Sequence, residues 1–183
     1  TKVGYITRIF KEVDLAMQTS GVIGGIAVLA LLYAFYASMK ISSFKVDHER
    51  VNELSGIIQS GAMAFLYREY KALVPFVILV AALLAWKINV PSAINFVSGA
   101  LCSALTGYVG MRVATKSNGK PTYAAMKGGL TQALMIAFTG GSVMGMTVVG
   151  VGLLGVTAMY FIFNDATVIP PFGFGASPIA LFA

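Results

Sequence analysis

The sequence predicts an all-α protein, a multi-pass transmembrane helical bundle, on two observations. Hydrophobic residues make up 57% of the 183 positions and charged residues only 11%, against about 25% in ordinary soluble domains. The apolar residues form long runs, and four of these runs reach the roughly 17–25 residues that a membrane-spanning helix needs. We therefore expect the chain to lie in a lipid bilayer, with four full spans and the start of a fifth.

The predicted spans belong to one membrane domain, residues 20–183, which follows an N-terminal extension, residues 1–19. The spans cover about 20–39, 72–88, 94–114 and a stretch within 128–164, and a fifth helix starts at 172–183.

Basic residues indicate how these spans are oriented. The chain has 13 Lys and Arg against 7 Asp and Glu, and the basic residues are concentrated in the loops 40–71 and 115–127. The positive-inside rule places both loops in the cytoplasm and the N-terminus outside, with the cell (inner) membrane as the expected location. Because membrane topology accounts for the positive charge, no nucleic-acid partner is predicted.

Two segments are longer than a span requires. Before the second span, apolar residues recur at helical spacing and predict a cytoplasmic amphipathic helix with one narrow apolar face; they are Val51, Leu54, Ile58, Gly61 and Phe65. Glu69 falls off that face, and Pro75 should kink the helix if it runs unbroken into the span. Residues 128–164 carry no charge and would form a helix about 55 Å long, so the first third should project into the cytoplasm or tilt.

Small residues at every fourth position predict which helix faces pack, because close backbone contact drives association in lipid. The two stripes are Ser98, Cys102, Thr106, Gly110 and Ala114 in the third span, and Ala133, Ala137, Gly141 and Gly145 in the fourth. In the last segment Pro170 and Pro171 should start a helix. Gly173 and Gly175 should let this helix pack tightly, and Pro178 should bend it.

No catalytic, cofactor-binding or metal-ligating residue is predicted. No acid lies in the middle of a span, where it would mark an ion path. His48 stands alone and is expected to be a solvated loop residue, and Cys102 has no partner at ligand spacing. Arg68, Glu69 and Lys71 are expected to anchor a helix at the membrane interface.

Two further patterns have a structural and a ligand-binding interpretation. Topology and anionic lipid explain one basic cluster about as well as an anionic substrate does; it consists of Arg112, Lys116, Lys120 and Lys127. The segment GGSVMG, residues 140–145, looks like a phosphate-binding loop but lacks the lysine of a P-loop. Helix packing is the favoured interpretation of that segment.

Three stretches resemble successive blocks of the membrane-bound, ion-translocating inorganic pyrophosphatases. They are IIQSGAMAFLYREY (57–70), GALCSALTGYVGMRVATKSN (99–118) with AFTGGSVMG (137–145), and FGFGASPIALFA (172–183). Their order and spacing match that family over nearly the whole chain from about residue 20.

The resemblance implies a homodimer of sixteen-helix subunits that hydrolyses magnesium pyrophosphate at the cytoplasmic side and pumps protons or sodium outward. This chain would be its amino-terminal part, a scaffold that is inactive without the remainder of the polypeptide. The Mg²⁺ ligands would lie outside the chain, and the need for K⁺ stays open, as does the pumped ion. Two alternatives also stay open: a stand-alone, non-enzymatic small membrane protein derived from such a pump, and part of a secondary transporter.

Overall fold

The computed structural model describes the backbone of residues 2–165 and 169–177 and the side chains of residues 20–165 and 169–177. These residues form five helices and no strand, which confirms the all-α prediction. The helices are α1 (Lys2–Ser43), α2 (Glu49–Lys87), α3 (Val90–Ser117), α4 (Gly119–Phe163) and α5 (Ile169–Ala176). The first four contain the predicted spans to within one residue. Residues 178–183 of the predicted fifth helix, with the expected bend at Pro178, lie outside the described residues.

Polar side chains set several helix ends. His48 caps α2, and its Nδ1 accepts a hydrogen bond from the backbone N–H of Val51 at 3.4 Å. Asn89 caps α3 in the same way through the N–H of Ser92 at 2.8 Å. At the C-terminal end of α4, the capping residue Asn164 takes the left-handed conformation, with φ 50°, which is common where helices stop.

Helix α2 runs without interruption from the predicted cytoplasmic helix into the second span, with Pro75 inside it. The apolar face predicted for its first half is nevertheless wrong as a packing face. Four of its five residues are exposed, among them Leu54, Ile58 and Phe65 at 43–46% exposure. The buried side of α2 is rotated away from that face and carries Leu66, Glu69 and Leu73.

Helix α4 contains a break within its N-terminal third, at Gly129. Gly129 has φ 76° and ψ −174°, a combination that is essentially restricted to glycine. The break separates residues 119–128 from a long helical stretch over residues 130–163. The charge-free segment is therefore interrupted where the sequence predicted only projection or tilt.

The contact between α1 and α4 is built from small side chains. The buried residues of α1 in this contact recur at intervals of three and four; they are Ala27, Ala30, Ala34, Ala37 and Ile41. Glycines of α4 lie against this surface. A Cβ atom placed on Gly150 would lie 3.1 Å from the Ala27 carbonyl oxygen, and one on Gly140 would lie 3.2 Å from Ile41 Cδ1.

Helices α3 and α5 approach each other even more closely. A methyl group on Gly99 would overlap the carbonyl oxygen of Phe172, and one on Gly175 would overlap the carbonyl oxygen of Phe96. Ser103 Oγ donates a hydrogen bond to the Ala176 carbonyl at 2.9 Å across the same contact. The expected tight packing of Gly175 is therefore confirmed, whereas Gly173 faces open space.

The two predicted small-residue stripes are only partly used. In α3, Thr106 and Gly110 are buried, and a Cβ atom on Gly110 would lie 2.7 Å from Met144 Cγ. In α4 the stripe is wrong beyond Ala133, because its other three members are exposed; they are Ala137, Gly141 and Gly145. Ala114, Ala137 and Gly141 instead line a cavity of about 200 Å³ between α3 and α4.

We predict that Gly99→Ala and Gly175→Ala each destabilise the bundle. Every added methyl group meets backbone that cannot move aside without separating α3 from α5, and overpacking of this kind typically costs about 1–3 kcal/mol. The free energy of unfolding in detergent micelles measures the effect. Gly173→Ala is the matched control in the same helix and should change stability little, so equal effects at positions 173 and 175 would contradict the packing described.

Candidate functional site

The ends of α1 and α3 and the starts of α2 and α4 meet in one junction. The ammonium group of Lys120, in the first turn of α4, donates a hydrogen bond to the carbonyl of Ile41 in the last turn of α1. The rings of Phe44 and Tyr123 meet edge to face beside this bond, with centroids 6.4 Å apart. Cations are favourable at helix C-termini, so Lys120 connects α4 to the end of α1.

Lys120 differs from the other members of the basic cluster predicted from the sequence. Its side chain is buried, whereas Arg112, Lys116 and Lys127 are exposed. Burial lowers the pKa of the Lys120 ammonium, and the charge of Lys116 lowers that pKa further. The structure therefore divides the cluster into one structural lysine and three exposed cations.

A cavity of about 190 Å³ opens beside Lys120. Its lining residues are Phe44, Val46, Asn52, Ser55, Lys116, Gly119 and Lys120. The amide of Asn52 donates to the Val46 carbonyl at 3.0 Å, and the hydroxyl of Ser55 donates to the Val51 carbonyl at 2.7 Å. No carboxylate lines the cavity, so it lacks the converging oxygen ligands that a Mg²⁺ site needs.

Carboxylates are scattered over the described part of the chain. Residues 20–165 and 169–177 contain no group of three or more His, Cys, Asp or Glu side chains that could hold a metal ion. Glu53 pairs with Arg50 at 2.7 Å on the exposed side of α2. A Mg²⁺ site needs converging oxygen ligands, so the described residues do not fit one.

Glu69 is the exception among the acids because it is buried. Its side chain is only 7% exposed and lies on the same side of α2 as Leu66 and Leu73. Its Oε1 has no hydrogen-bond partner among the described residues. The predicted role in anchoring the helix at the interface is therefore wrong for Glu69, although Arg68 and Lys71 beside it are exposed.

The remaining candidate residues lie within helices or at a helix end. His48 is exposed and caps α2. Cys102 is a half-buried free thiol in α3. The segment 140–145 is helical and contributes Gly140 to the contact with α1, which confirms packing as the better interpretation of GGSVMG.

The burial of Glu69 and Lys120 was not predicted from the sequence. Both lie in stretches rich in exposed charges, so composition gave no sign of their burial. The spacing Leu66, Glu69, Leu73 offered one signal, because positions three and seven residues apart share a helix face. The alanines of α1 that recur at intervals of three and four were a comparable signal for the contact with α4.

These features identify the general class to which the protein belongs. Within the described residues, three helical stretches are long and apolar enough to cross a membrane: Ser20–Ser43, Glu49–Lys87 and Val90–Phe163, the last of which joins α3 and α4. The helices pack through small residues, and a polar junction around Lys120 links helix ends. The chain is thus a multi-pass helical membrane protein.

Comparison with known proteins shows the family. The family model described as inorganic H⁺ pyrophosphatase matches residues 28–183, and the chain belongs to this family.

Three relatives illustrate the similarity. A protein of Clostridium tetani (strain Massachusetts / E88) carries the name of a K(+)-stimulated pyrophosphate-energized sodium pump and is 46% identical over 157 residues, 85% of this chain and 23% of the relative. The K(+)-insensitive pyrophosphate-energized proton pump 2 of Moorella thermoacetica is 38% identical over 91% of this chain and 26% of its own length. A K(+)-insensitive pyrophosphate-energized proton pump of Methanosarcina mazei is 34% identical over 85% and 23%, respectively. The chain thus spans about a quarter of the length of these relatives.

We predict that Glu69→Met stabilises the bundle. The substitution replaces a buried carboxylate that has an unpartnered oxygen with an apolar side chain of similar length, and an unsatisfied buried polar group costs about 1–3 kcal/mol or more. The free energy of unfolding in micelles measures the change. Glu53→Met is the control, because its exposed ion pair contributes only about 0–1 kcal/mol.

A loss of stability in Glu69→Met that exceeds the loss in Glu53→Met would contradict this account. It would mean that the Glu69 carboxylate has a partner.

Proposed function

We propose that this chain forms the amino-terminal part of a membrane pump that hydrolyses inorganic pyrophosphate to two phosphates and couples the reaction to outward transport of H⁺ or Na⁺. The observation that carries the proposal is the family match over residues 28–183, together with relatives named as pyrophosphate-energized pumps. In this proposal the chain itself serves as scaffold, and the catalytic residues belong to the remainder of the polypeptide.

The proposed chemistry belongs to the rest of the enzyme. Mg²⁺ supplies charge neutralisation on the pyrophosphate oxygens when it is bound, and its ligands lie outside this chain. K⁺ is a further cofactor if the pump resembles its K(+)-stimulated relative. What the chain contributes is the packing of helices: the Lys120 junction joins the ends of α1 and α4, and Gly99 and Gly175 set the distance between α3 and α5.

The proposed arrangement in the membrane follows the distribution of charge. The N-terminus lies outside, and the loops 40–71 and 115–127 lie in the cytoplasm of the cell (inner) membrane. The junction around Lys120 then faces the cytoplasm, where pyrophosphate is available. The pump is a homodimer of such subunits, and the remainder of the same polypeptide completes each bundle.

A chimaera tests the proposal most directly. The matching 157 residues of the Clostridium tetani relative are replaced by those of this chain, and the purified chimaera is reconstituted in liposomes. We expect magnesium-dependent pyrophosphate hydrolysis and sodium uptake, because a scaffold that keeps the family packing should support the catalytic part of the relative. The 183-residue chain alone should show neither activity.

Two results would contradict the proposal. One is a chimaera that inserts and folds as the relative does but is inactive. The other is clear hydrolysis by the chain alone, which would mean that its own residues suffice for catalysis. A chimaera that also carries Gly99→Ala is the matched control, and its activity should fall as α3 separates from α5.

A further inference from the structure

A long apolar groove lies between α2 and α3. Its volume is about 260 Å³, and its lining residues are Tyr70, Leu73, Val74, Val77, Ile78, Val97, Ala100, Leu101 and Ala104. The hydroxyl of Tyr70 is the one polar side-chain group in this lining, and it donates a hydrogen bond to the Ala104 carbonyl at 2.6 Å. The groove therefore offers its occupant only apolar contacts.

The groove opens away from the other helices of the described structure. On α3, Gly99 and Ser103 face α5, and Gly110 faces Met144 of α4. Val97 and Leu101 project from the opposite side of α3, since each lies two residues from Gly99 and hence about 160° around the helix from it. Ile78 and Leu101 remain 64% and 65% exposed, so this side of the pair has no protein cover in the described structure.

The length of the groove suits one leaflet of a bilayer. Along α2 it extends from Tyr70 to Ile78, which is eight residues or about 12 Å of helix. Half of a hydrocarbon core is about 15 Å thick. An acyl chain that lies along the groove would thus reach from the headgroup level most of the way to the bilayer centre.

Two exposed cations lie near one end of the groove, Lys71 at the level of its first turn on α2 and Arg112 about two helical turns past Ala104 on α3. Lys71 precedes Val74 by three residues and shares its side of α2. Arg112 continues the row of Ala104 and Tyr108 on α3, and its guanidinium donates to the Tyr108 hydroxyl at 3.1 Å. Glu69 is buried on the side of α2 that carries Leu73, a residue of the groove lining, so the exposed charges at this end of the groove are the two cations.

We infer that this groove is a binding site for one anionic phospholipid. One acyl chain lies against Val74, Ile78 and Leu101, and the phosphate group lies between Lys71 and Arg112. Arginine is well suited to this position because its guanidinium presents several donors to phosphate oxygens. The inference rests on the proposed function in two respects: the orientation selects the cytoplasmic leaflet, and the remainder of the polypeptide leaves this side of α2 and α3 open to lipid.

Native mass spectrometry of the full chain, released from mild detergent, tests the inference. The protein is incubated with phosphatidylglycerol or phosphatidylcholine that carry the same acyl chains. We expect one retained phosphatidylglycerol molecule and a preference over phosphatidylcholine of roughly thirtyfold, as for two basic side chains near an anionic headgroup. Equal retention of the two lipids would overturn the proposal.

Variants separate the headgroup from the acyl chain. Lys71→Gln with Arg112→Gln should abolish the preference, whereas Lys40→Gln with Lys45→Gln, which removes two exposed charges elsewhere, should keep it. Leu101→Trp adds bulk at an exposed groove position and should reduce retention of both lipids. A preference that survives in the Lys71 and Arg112 variant, or retention that Leu101→Trp leaves unchanged, would overturn the site.

Two further measurements distinguish the other occupants. Inorganic phosphate at millimolar concentration should not displace the lipid; displacement without any effect of Leu101→Trp would indicate a free phosphate site and overturn the proposal. A nitroxide at position 101 in vesicles should be accessible to oxygen dissolved in the acyl chains. Low accessibility would show that protein covers the groove, which equally overturns it, and neither result depends on pumping activity.

Discussion

Close contact of helix backbones across small residues is the constraint on which the rest of this structure depends. In lipid, burying apolar side chains between helices gains little free energy, because the lipid tails are apolar too. Helices therefore associate through van der Waals contact and hydrogen bonds. The alanines of α1 against Gly140 and Gly150, and the paired glycines of α3 and α5, provide that contact. The junction around Lys120 exists because α1 and α4 approach closely enough for a side chain of one to reach the last turn of the other.

The class of fold could be predicted from the sequence because it follows from composition and from the length of apolar runs. The sequence predicts the amphipathic segment before the second span as a helix but leaves open its union with that span in one helix, α2, which is shown by the structure. The choice of packing face could not be predicted in the same way. Helix α4 carries several small-residue rows, and the row through Gly140 and Gly150 faces α1 while Gly141 and Gly145 stay exposed. A repeat in one sequence shows that a close contact can form, but the position of the neighbouring helix decides which row is used.

The burial of two charged side chains in the candidate site could not be predicted from the sequence either. Glu69 and Lys120 lie among charged neighbours in the sequence, and only the three-dimensional arrangement shows that both are buried. Lys120 has a backbone partner at the end of α1, whereas one oxygen of Glu69 has none among the described residues. The described part of the chain contains no converging set of carboxylates. Its membership of the pyrophosphatase family is therefore shown by the sequence match and not by an active site in the structure.

The measurement that tests the packing most directly is a cross-link between α1 and α4. A Cβ atom on Gly24 would lie 3.6 Å from Thr157 Cγ2, which is van der Waals contact, so cysteine side chains at the two positions come within reach of a disulfide bond. With Cys102 replaced by serine, the pair Gly24→Cys and Thr157→Cys should form an intramolecular disulfide on mild oxidation and lose both free thiols. The control pair Gly25→Cys and Thr157→Cys should keep its thiols, since a side chain at Gly25 would meet nothing within 4 Å. Equal cross-linking of the two pairs, or none in the first, would contradict the proposed approach of α1 to α4.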